Sequence, residues 1–256
     1  MTHPRIIPVL LLHNGGLVKT TRFKNPRYIG DPINAVKIFN DKEVDEIIVI
    51  NMDATSHNIG PDYNFIKSIV DECFMPLCYG GGITNLEQMR KIFNMGVEKL
   101  SISSAALENL KLISEAVATF GSQSIVVTLD IRKNIFNKYK ITSHNNKKKY
   151  NLDLFEYVKI LENHGIGELM INYVNGDGMM SGYNVELLKK INSIVKVPVI
   201  ALGGAGSLSD IKNVFSIGDV SAAAAGSLFV YNGVHKAVLI NYPGHFNSLD
   251  EINLVC

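Results

Sequence analysis

Cysteine and net charge are both scarce in this sequence, and each shortage excludes a class of protein. The 256 residues include only three cysteines, Cys73, Cys78 and Cys256. Cysteines so few and so scattered make neither a disulfide framework nor a zinc site. Lys and Arg number 25 against 24 Asp and Glu, which leaves a formal charge of +1. A charge this small provides no overall field to attract nucleic acid or an anionic membrane.

Long apolar runs and metal-ligand spacings are missing as well. No run approaches the roughly 18 apolar residues that a membrane-spanning helix needs. The N-terminal run Ile6–Leu12 is followed by His13-Asn14-Gly15-Gly16 instead of a small-residue cleavage site, which indicates a first strand and not a signal peptide. The seven histidines lie in separate segments without metal-ligand spacing. We therefore expect a cytoplasmic protein without a bound metal or other cofactor.

The sequence does contain enough apolar residues for a large core, and they occur in repeated blocks. Hydrophobic residues make up 46% of the chain and charged residues 19%, which excludes wholesale disorder. Eight short apolar runs recur along the chain: Ile6–Leu12, Ile47–Met52, Pro76–Tyr79, Leu100–Ser103, Ser124–Leu129, Leu169–Val174, Pro198–Leu202 and Ser221–Ala225. Amphipathic segments separate them, and the runs lack polar alternation, as is typical of parallel strands covered on both faces. This pattern predicts an α/β fold, a closed (β/α)8 TIM barrel, with a doubly wound open sheet as the alternative.

An internal repeat supports the barrel. When the sequence is shifted by 122 residues, Glu46 falls on Glu168, and Gly81-Gly82 falls on Gly203-Gly204, without a gap between them. Two half-barrels of four strand–helix units each, about 1–122 and 123–256, would produce this register. We therefore expect a single barrel domain over 1–256, although two similar βαβ units in an open sheet remain an alternative.

Two glycine-rich turns follow the third and seventh predicted strands, at Gly80-Gly81-Gly82 and Gly203-Gly204-Ala205-Gly206. Glycine lets backbone N–H groups approach an anion, and the following helix N-terminus adds partial positive charge. Neither turn has the spacing of a Walker loop or a dinucleotide fingerprint, and each on its own is also consistent with an ordinary tight turn. Their symmetric positions, with Ser103-Ser104 and Gly226-Ser227 nearby, predict a ligand that carries a phosphate at each end.

These features together resemble one family along essentially the whole chain. The half-barrel repeat and the glycine turns are accompanied by Gly30-Asp31-Pro32, Asp45-Glu46, Gly121-Ser122-Gln123-Ser124 and Asp177-Gly178. The combination resembles the cyclase subunit (HisF) of imidazole glycerol phosphate synthase, and in particular second-copy variants of it associated with amidation of surface-glycan sugars. The resemblance implies a barrel that receives ammonia from a separate HisH-type glutaminase in a heterodimer and binds a bis-phosphorylated small molecule.

The resemblance also implies which residues bind that molecule. The expected phosphate and substrate contacts are Lys19, Gly81, Gly82, Ser103, Ser104, Asp177, Gly178, Gly203, Gly204, Gly226 and Ser227. Where the family usually has Asn-Thr, this chain has Ser103-Ser104, so one phosphate site is altered. Lys19 corresponds to a lysine on a first loop that closes over the substrate.

The catalytic pair of the family is incomplete in this chain. The family uses two aspartates, one ending the first strand and one ending the fifth, as acid and base in ring closure. Asp130 matches the fifth-strand position, but Leu11 stands at the first and can neither accept nor donate a proton. Asn51 and Asn172 also differ from the family, and Asp53 is the nearest carboxylate that could substitute. The sequence therefore casts doubt on ordinary cyclisation.

Four charges occur at the opposite ends of the predicted strands. Arg5, Glu46, Lys99 and Glu168 begin or precede the first, second, fourth and sixth strands, so two cations and two anions should meet at the bottom of the barrel. In the resembling family this ring is the ammonia gate, and the alternative is a structural plug. Glu98 corresponds to an acidic residue that docks the glutaminase.

The charged residues at the bottom of the barrel match the family, whereas the residues at its mouth depart from it. This combination predicts an ammonia-relay subunit for surface-glycan biosynthesis. An ATP-dependent sugar amidotransferase is expected as a further partner. The enzymatic alternative is a working cyclase of histidine biosynthesis that makes imidazole glycerol phosphate and AICAR. A third hypothesis is a non-catalytic, metabolite-binding activator of the glutaminase.

One basic segment stands apart from these motifs. Lys147-Lys148-Lys149 follows Arg132, Lys133, Lys138 and Lys140 in the connection after the fifth strand. A solvated loop or a cover for phosphates explains these lysines better than nucleic-acid binding does in a chain of nearly zero net charge.

Overall fold

The computed structural model describes residues 4–143 and 150–244. Eight parallel strands close into a barrel, in the order β11-β10-β9-β7-β6-β5-β4-β1, with β11 paired back to β1. The strands are β1 (Arg5–His13), β2 (Gly16–Thr21), β3 (Lys24–Gly30), β4 (Ile47–Asn51), β5 (Leu77–Gly80), β6 (Lys99–Ile102), β7 (Ile125–Lys133), β8 (Tyr139–Thr142), β9 (Glu168–Tyr173), β10 (Val199–Leu202), β11 (Ala222–Ala225), β12 (Tyr231–Asn232) and β13 (Ala237–Val238). The predicted (β/α)8 barrel is confirmed, and the parallel pairing of β11 with β1 excludes the open sheet.

Helices connect the barrel strands and cover their outer surface. They are α1 (Pro32–Asp41), α2 (Met52–Ser56), α3 (Tyr63–Val70), α4 (Leu86–Phe93), α5 (Ser104–Glu108), α6 (Leu110–Phe120), α7 (Leu154–Asn163), α8 (Val185–Asn192), α9 (Leu208–Ser216) and α10 (Ser227–Val230), with a 3-10 turn at Ser122–Ser124. The long amphipathic segment 107–120 is divided by Asn109, whose side chain caps α6. None of the described helices is long and apolar enough to cross a membrane.

The internal repeat is present in the structure as well as in the sequence. α3 and α8 occupy the same positions after the shift of 122 residues, and so do β5 and β10. Their capping residues repeat too. Asp62 and Asn184 cap α3 and α8, and Asn85 and Ser207 cap α4 and α9, each through a side-chain oxygen that accepts a backbone N–H.

Alternation along each strand divides the core into two compartments. On β1, Ile6 and Leu10 point outward and pack with the helices in the larger hydrophobic cluster. Ile7 and Val9 point inward and belong to the cluster that fills the barrel, with Leu11 packed against it. Successive side chains of a strand face opposite sides, so every strand contributes both to the helix-packed layer and to the interior.

Two hairpins stand above the C-terminal ends of the strands, which form the mouth of the barrel. β2 and β3 form an antiparallel hairpin that continues from β1, and β8 pairs antiparallel with the extended end of β7. None of these strands was predicted from the sequence. β3 and β8 are mostly polar and partly or fully exposed, and β2, although largely buried, has only two apolar residues, Leu17 and Val18.

Candidate functional site

The four charged residues predicted at the bottom of the barrel form a closed ring. Arg5 donates to Glu46 at 2.7 Å and to Glu168 at 2.5 Å. Lys99 donates to the same two carboxylates, at 2.9 Å and 3.1 Å. Cations and anions therefore alternate around the opening, and each touches both neighbours of opposite sign.

Burial and charge act in opposite directions on the cations of this ring. Burial by itself lowers the pKa of Arg5 and of Lys99, but the attraction of Glu168 and Glu46 outweighs it and raises both pKa values. Glu46 is 3% exposed, and its Oε1 atom has no hydrogen-bond partner among the described residues. The two cations are consequently held in their charged forms by the neighbouring carboxylates.

The interior above the ring is apolar with a few small polar groups. Ile7, Val126 and Met170 belong to the cluster that fills it. Within it, the hydroxyl groups of Ser101 and Thr128 bond to each other at 2.6 Å. Because both hydroxyls are buried and paired, the interior contains polar atoms without any charge between the ring and the mouth.

Asp130 is buried at the mouth, on β7. Its Oδ1 accepts a hydrogen bond from the Asn172 side chain of the neighbouring strand β9 at 2.8 Å. Burial, with a smaller contribution from the charge of Asp177, raises the pKa of Asp130 to about 7, against the Asn172 bond and the attraction of Arg132. Leu11 lines the same cavity and offers only a hydrocarbon surface. The mouth therefore holds one carboxyl group that changes its charge near neutral pH, without a second carboxyl group at the Leu11 position.

Asp53 does not supply the missing carboxylate. Its Oδ1 lies 2.6 Å from His13 Nδ1, and its Oδ2 accepts the Asn14 backbone N–H at 2.6 Å. Burial alone would raise the pKa of Asp53, but these bonds and the charge of the histidine lower it. Asn51 is also engaged locally, because its side chain accepts from the first N–H groups of α2. Both residues organise the end of β4.

Two adjoining cavities open at the mouth. The larger, about 730 Å³, is lined by the predicted residues Gly81, Gly82, Ser103 and Ser104 together with Asp130. The smaller, about 50 Å³, is lined by the remaining predicted residues: Lys19, Asp177, Gly178, Gly203, Gly204, Gly226 and Ser227. The structure thus places the predicted phosphate-binding residues in two groups, and Leu11, Phe23 and Asn172 line both cavities.

The glycines of the two turns are required by the backbone. Gly82 has φ +73°, and a Cβ there would lie 2.7 Å from the Cβ of Ala54. Gly204 has φ +124°, and its Cβ would lie 2.0 Å from the Gly182 carbonyl oxygen. Both positions therefore exclude larger residues even without a ligand. Ser103 begins α5 but makes no capping bond with its side chain, although it lines the larger cavity.

The smaller cavity is closed by the β2–β3 hairpin, in contacts that sequence reasoning missed. Asp177 Oδ2 accepts from Thr20 Oγ1 at 2.7 Å and from the Phe23 N–H at 3.1 Å. Lys19 is buried and donates to the Val9 carbonyl oxygen at 2.5 Å. Burial lowers the pKa of Lys19 to about 8, against the attraction of Asp177. The polar residues of this hairpin hold it across the mouth, and no motif in the sequence indicated that pairing.

Glu98, predicted to dock the glutaminase, lies at the opposite end of the barrel. It is exposed beside the charge ring, and its Oε2 accepts the Leu77 backbone N–H at 2.8 Å. Tyr173, which follows Asn172 at the end of β9, packs against the outer core. The basic residues Lys147–Lys149 lie outside the described residues.

Comparison with known proteins supplies a family. Residues 5–236 match the model of the family described as "Histidine biosynthesis protein". A Leptospira borgpetersenii protein named "Putative imidazole glycerol phosphate synthase subunit HisF" is 51% identical over 95% of this chain and 96% of its own length. A Pseudomonas aeruginosa protein named "Putative imidazole glycerol phosphate synthase subunit hisF2" is 49% identical over 98% of this chain and 99% of its own length. The "Imidazole glycerol phosphate synthase subunit HisF" of Alkaliphilus metalliredigens is 35% identical over 99% and 98%.

The raised pKa of Asp130 predicts a stability that falls with rising pH. The unfolded carboxyl group ionises near pH 4, whereas the folded group keeps its proton to about pH 7, so stability is lost across that interval. Asp130→Asn removes this loss. Its free energy of unfolding, relative to the parent protein, should rise by up to about 4 kcal/mol between pH 4 and pH 8 in urea titrations.

Asp53→Asn is the matched control for this pH effect. Asp53 has a lowered pKa, so it contributes stability above its unfolded pKa that is lost as acid protonates it. The difference between this variant and the parent should therefore shrink toward low pH, the opposite trend. Parallel pH profiles for the parent and Asp130→Asn would contradict the assignment.

Removing one cation from the ring should destabilise the fold. Lys99→Met keeps most of the side-chain bulk but leaves Glu46 and Glu168 with one cation instead of two. We expect a loss of about 3 kcal/mol, the lower end for a broken buried pair, because Lys99 keeps 18% of its side chain exposed. Urea unfolding measures this loss in the free energy of unfolding.

Lys67→Ala, which breaks an exposed pair with Asp71, is the control and should cost only about 0.5 kcal/mol. Equal losses in the two variants would show that the ring is solvated like a surface pair.

Proposed function

The chain belongs to the HisF family of histidine biosynthesis proteins, and from that premise we propose that it relays ammonia within a glutamine amidotransferase complex. In this proposal a HisH-type glutaminase docks on the bottom face and releases ammonia at the charge ring. The ammonia crosses the barrel and leaves at the mouth for an acceptor sugar of a surface glycan. The observation that carries the proposal is the closed ring below an uncharged interior, combined with a mouth that has lost one of two carboxylates.

The ring has the properties of a selective entrance. Each cation lies within hydrogen-bond distance of both carboxylates, and in this proposal the closed ring excludes water and hydrated ammonium ion while Lys99 stays in place. Lys99 has the flexible side chain of the set, and its displacement would open the ring while Arg5 keeps both carboxylates paired. A neutral ammonia molecule passes such an opening without the desolvation cost of an ion.

In this proposal the ammonia travels about 20 Å from Arg5 to Leu11, six residues along one strand. Apolar walls favour neutral ammonia over ammonium, because a charged species would lose its hydration without compensation. The paired hydroxyls of Ser101 and Thr128 offer one donor and several acceptor positions midway along it. At the end of the route Asp130, with a pKa near 7, exchanges protons readily at neutral pH.

The mouth suits ligand binding better than ring-closing chemistry. In this proposal the backbone N–H groups of the two glycine turns, which line the two cavities, and the Ser103 hydroxyl, which makes no capping bond, bind phosphate oxygens. In this proposal those cavities hold a bis-phosphorylated small molecule. Asp130 faces Leu11 in place of a second carboxyl group, so acid and base functions cannot be divided between two residues.

The bottom face has the features of a docking surface. Phe74 lies three residues before the start of β5 and is 86% exposed, and its backbone N–H donates to Asn40 Oδ1 at 3.1 Å. Glu98 is exposed close to the ring. An exposed aromatic side chain on an ordered backbone, beside a charged rim, is typical of the anchors that dominate protein interfaces. These residues support the docking of a glutaminase over the ring.

A working cyclase is the second candidate function, because Asp130 keeps its position and both cavities are present. The hisF2 protein of Pseudomonas aeruginosa is 49% identical to this chain, and the HisF protein of Alkaliphilus metalliredigens is 35% identical to it. In the proposed relay, an ATP-dependent sugar amidotransferase is the consuming enzyme. Turnover of the bis-phosphate substrate with ammonium salt at roughly 1 s⁻¹ would instead establish the cyclase. The third hypothesis, an activator without ammonia transfer, shares the docking but not the channel.

The proposed docking predicts a heterodimer with the glutaminase and a faster hydrolysis of glutamine. Phe74→Ser should weaken that heterodimer about tenfold or more, because it removes the exposed anchor while leaving the fold intact. Size-exclusion chromatography and the glutaminase rate measure both effects. Val234→Ser, at an equally exposed apolar residue between β12 and β13, is the control and should change neither. Separate elution of the parent proteins, with an unchanged glutaminase rate, would refute the docking.

The proposed channel predicts a leak when the ring is opened. In the complete complex Lys99→Ala should leave glutamine hydrolysis in place and lower the amount of aminated product per glutamine consumed. Added ammonium salt should restore amination, since ammonia then reaches the acceptor from solution. Lys99→Met separates bulk from charge, and its coupling should lie closer to the parent value. A plug with a structural role alone would lower the melting temperature and leave the coupling ratio unchanged.

A further inference from the structure

The β7–β8 hairpin rises from the mouth directly beyond Asp130. Beyond Asp130, β7 continues through Ile131–Lys133, and these three residues pair with Tyr139–Ile141 of β8. The turn between them is ordered by Asn134, whose side chain accepts the backbone N–H groups of Phe136 and Lys138, both at 2.9 Å. The tip lies about 17 Å above Asp130, five residues further along an extended chain.

The tip of this hairpin presents two adjacent apolar side chains to solvent. Ile135 is 91% exposed and Phe136 is 75% exposed. The Asn134 bonds fix the backbone that directs them outward, so their exposure is a feature of an ordered turn. Two large apolar groups on a rigid projection contribute nothing to the barrel core and are suited to contact with another molecule.

The same segment is uniformly basic. All seven charged residues between positions 131 and 152 are Lys or Arg, in a chain with a formal charge of only +1. Lys138 and Lys140 are exposed beside the apolar tip. Arg132 lies 6.0 Å from the centre of the Phe23 ring and bonds to the Arg22 carbonyl oxygen, so the base of the hairpin contacts the other hairpin that closes the mouth.

We propose that the β7–β8 hairpin docks the enzyme that consumes the ammonia, by inserting Ile135 and Phe136 into an apolar pocket rimmed by Asp and Glu residues. The inference rests on the proposed relay, because a relay needs an acceptor seated on the mouth. Charge complementarity selects an acidic protein surface as the occupant. A second copy of this chain fits less well, because two basic hairpins would repel each other. Nucleic acid also fits less well, because it offers no apolar pocket for Ile135 and Phe136.

The test uses the full-length chain, its glutaminase and a purified ATP-dependent sugar amidotransferase of the same organism as the probe. Ile135→Ser/Phe136→Ser should weaken binding to the amidotransferase about tenfold or more, and lower glutamine-dependent amination. Its heterodimer with the glutaminase and its stimulation of glutamine hydrolysis should remain at parent values. Binding of the parent protein should weaken steeply with added salt, because it depends on charge.

Phe74→Ser is the matched control, since it removes an equally exposed phenylalanine from the opposite end of the barrel. It should lose binding to the glutaminase and keep binding to the amidotransferase.

A parent chain that binds the glutaminase but not the amidotransferase would overturn the inference. So would a double variant whose affinity for the amidotransferase is within twofold of the parent value. Both results would leave the docking of the glutaminase standing. Binding of the hairpin to a duplex oligonucleotide, or a parent dimer abolished by the double variant, would overturn the inference as well. A parent chain that does not bind the glutaminase would refute the proposed function itself.

Discussion

Alternation of side chains along the barrel strands is the constraint on which the other features depend. Strand β1 shows it most completely. Ile6 and Leu10 hold the helices, whereas Arg5, Ile7, Val9 and Leu11 face the axis. A single strand therefore contributes to the charge ring, the apolar interior and the mouth, in that order. A shift of one residue would exchange the two sets and place charges under the helices, so the closed register that pairs β1 with β11 also fixes the positions of the functional residues.

The chemistry open to the mouth follows from how few charges are buried there. Asp130 accepts a hydrogen bond from the Asn172 amide, and Leu11 adds only hydrocarbon to the cavity that both line. These surroundings explain a pKa of about 7, since burial outweighs the Asn172 bond and the attraction of Arg132. A second carboxyl group at position 11 would create a like-charge pair and separate their pKa values. With leucine there, Asp130 has no carboxyl partner at that position.

The sequence was sufficient to predict features that depend on period and register. Eight buried runs and a shift of 122 residues predicted the barrel, and strand starts brought Arg5, Glu46, Lys99 and Glu168 to one end, where the structure shows a closed ring. Contacts between loops carried no such signal. Thr20 and Asp177 are more than 150 residues apart, and neither hairpin has alternating buried residues, so the closure of the smaller cavity emerged only from the structure. Asp177 is predicted to contact phosphate, and the structure adds that its carboxylate accepts hydrogen bonds from the hairpin.

The physical cost of the ring distinguishes it from an ordinary plug. Burying four charged side chains loses their hydration, and apolar residues of similar volume would close the same opening with equal or greater stability. Glu46 illustrates that cost, because one of its oxygens is buried without a partner among the described residues. In the proposed relay, Lys99 leaves and returns while Arg5 continues to hold both carboxylates, an exchange that apolar packing would not allow. A ring that opened in this way would seal the barrel reversibly, which is the property that a relay of ammonia requires of its entrance.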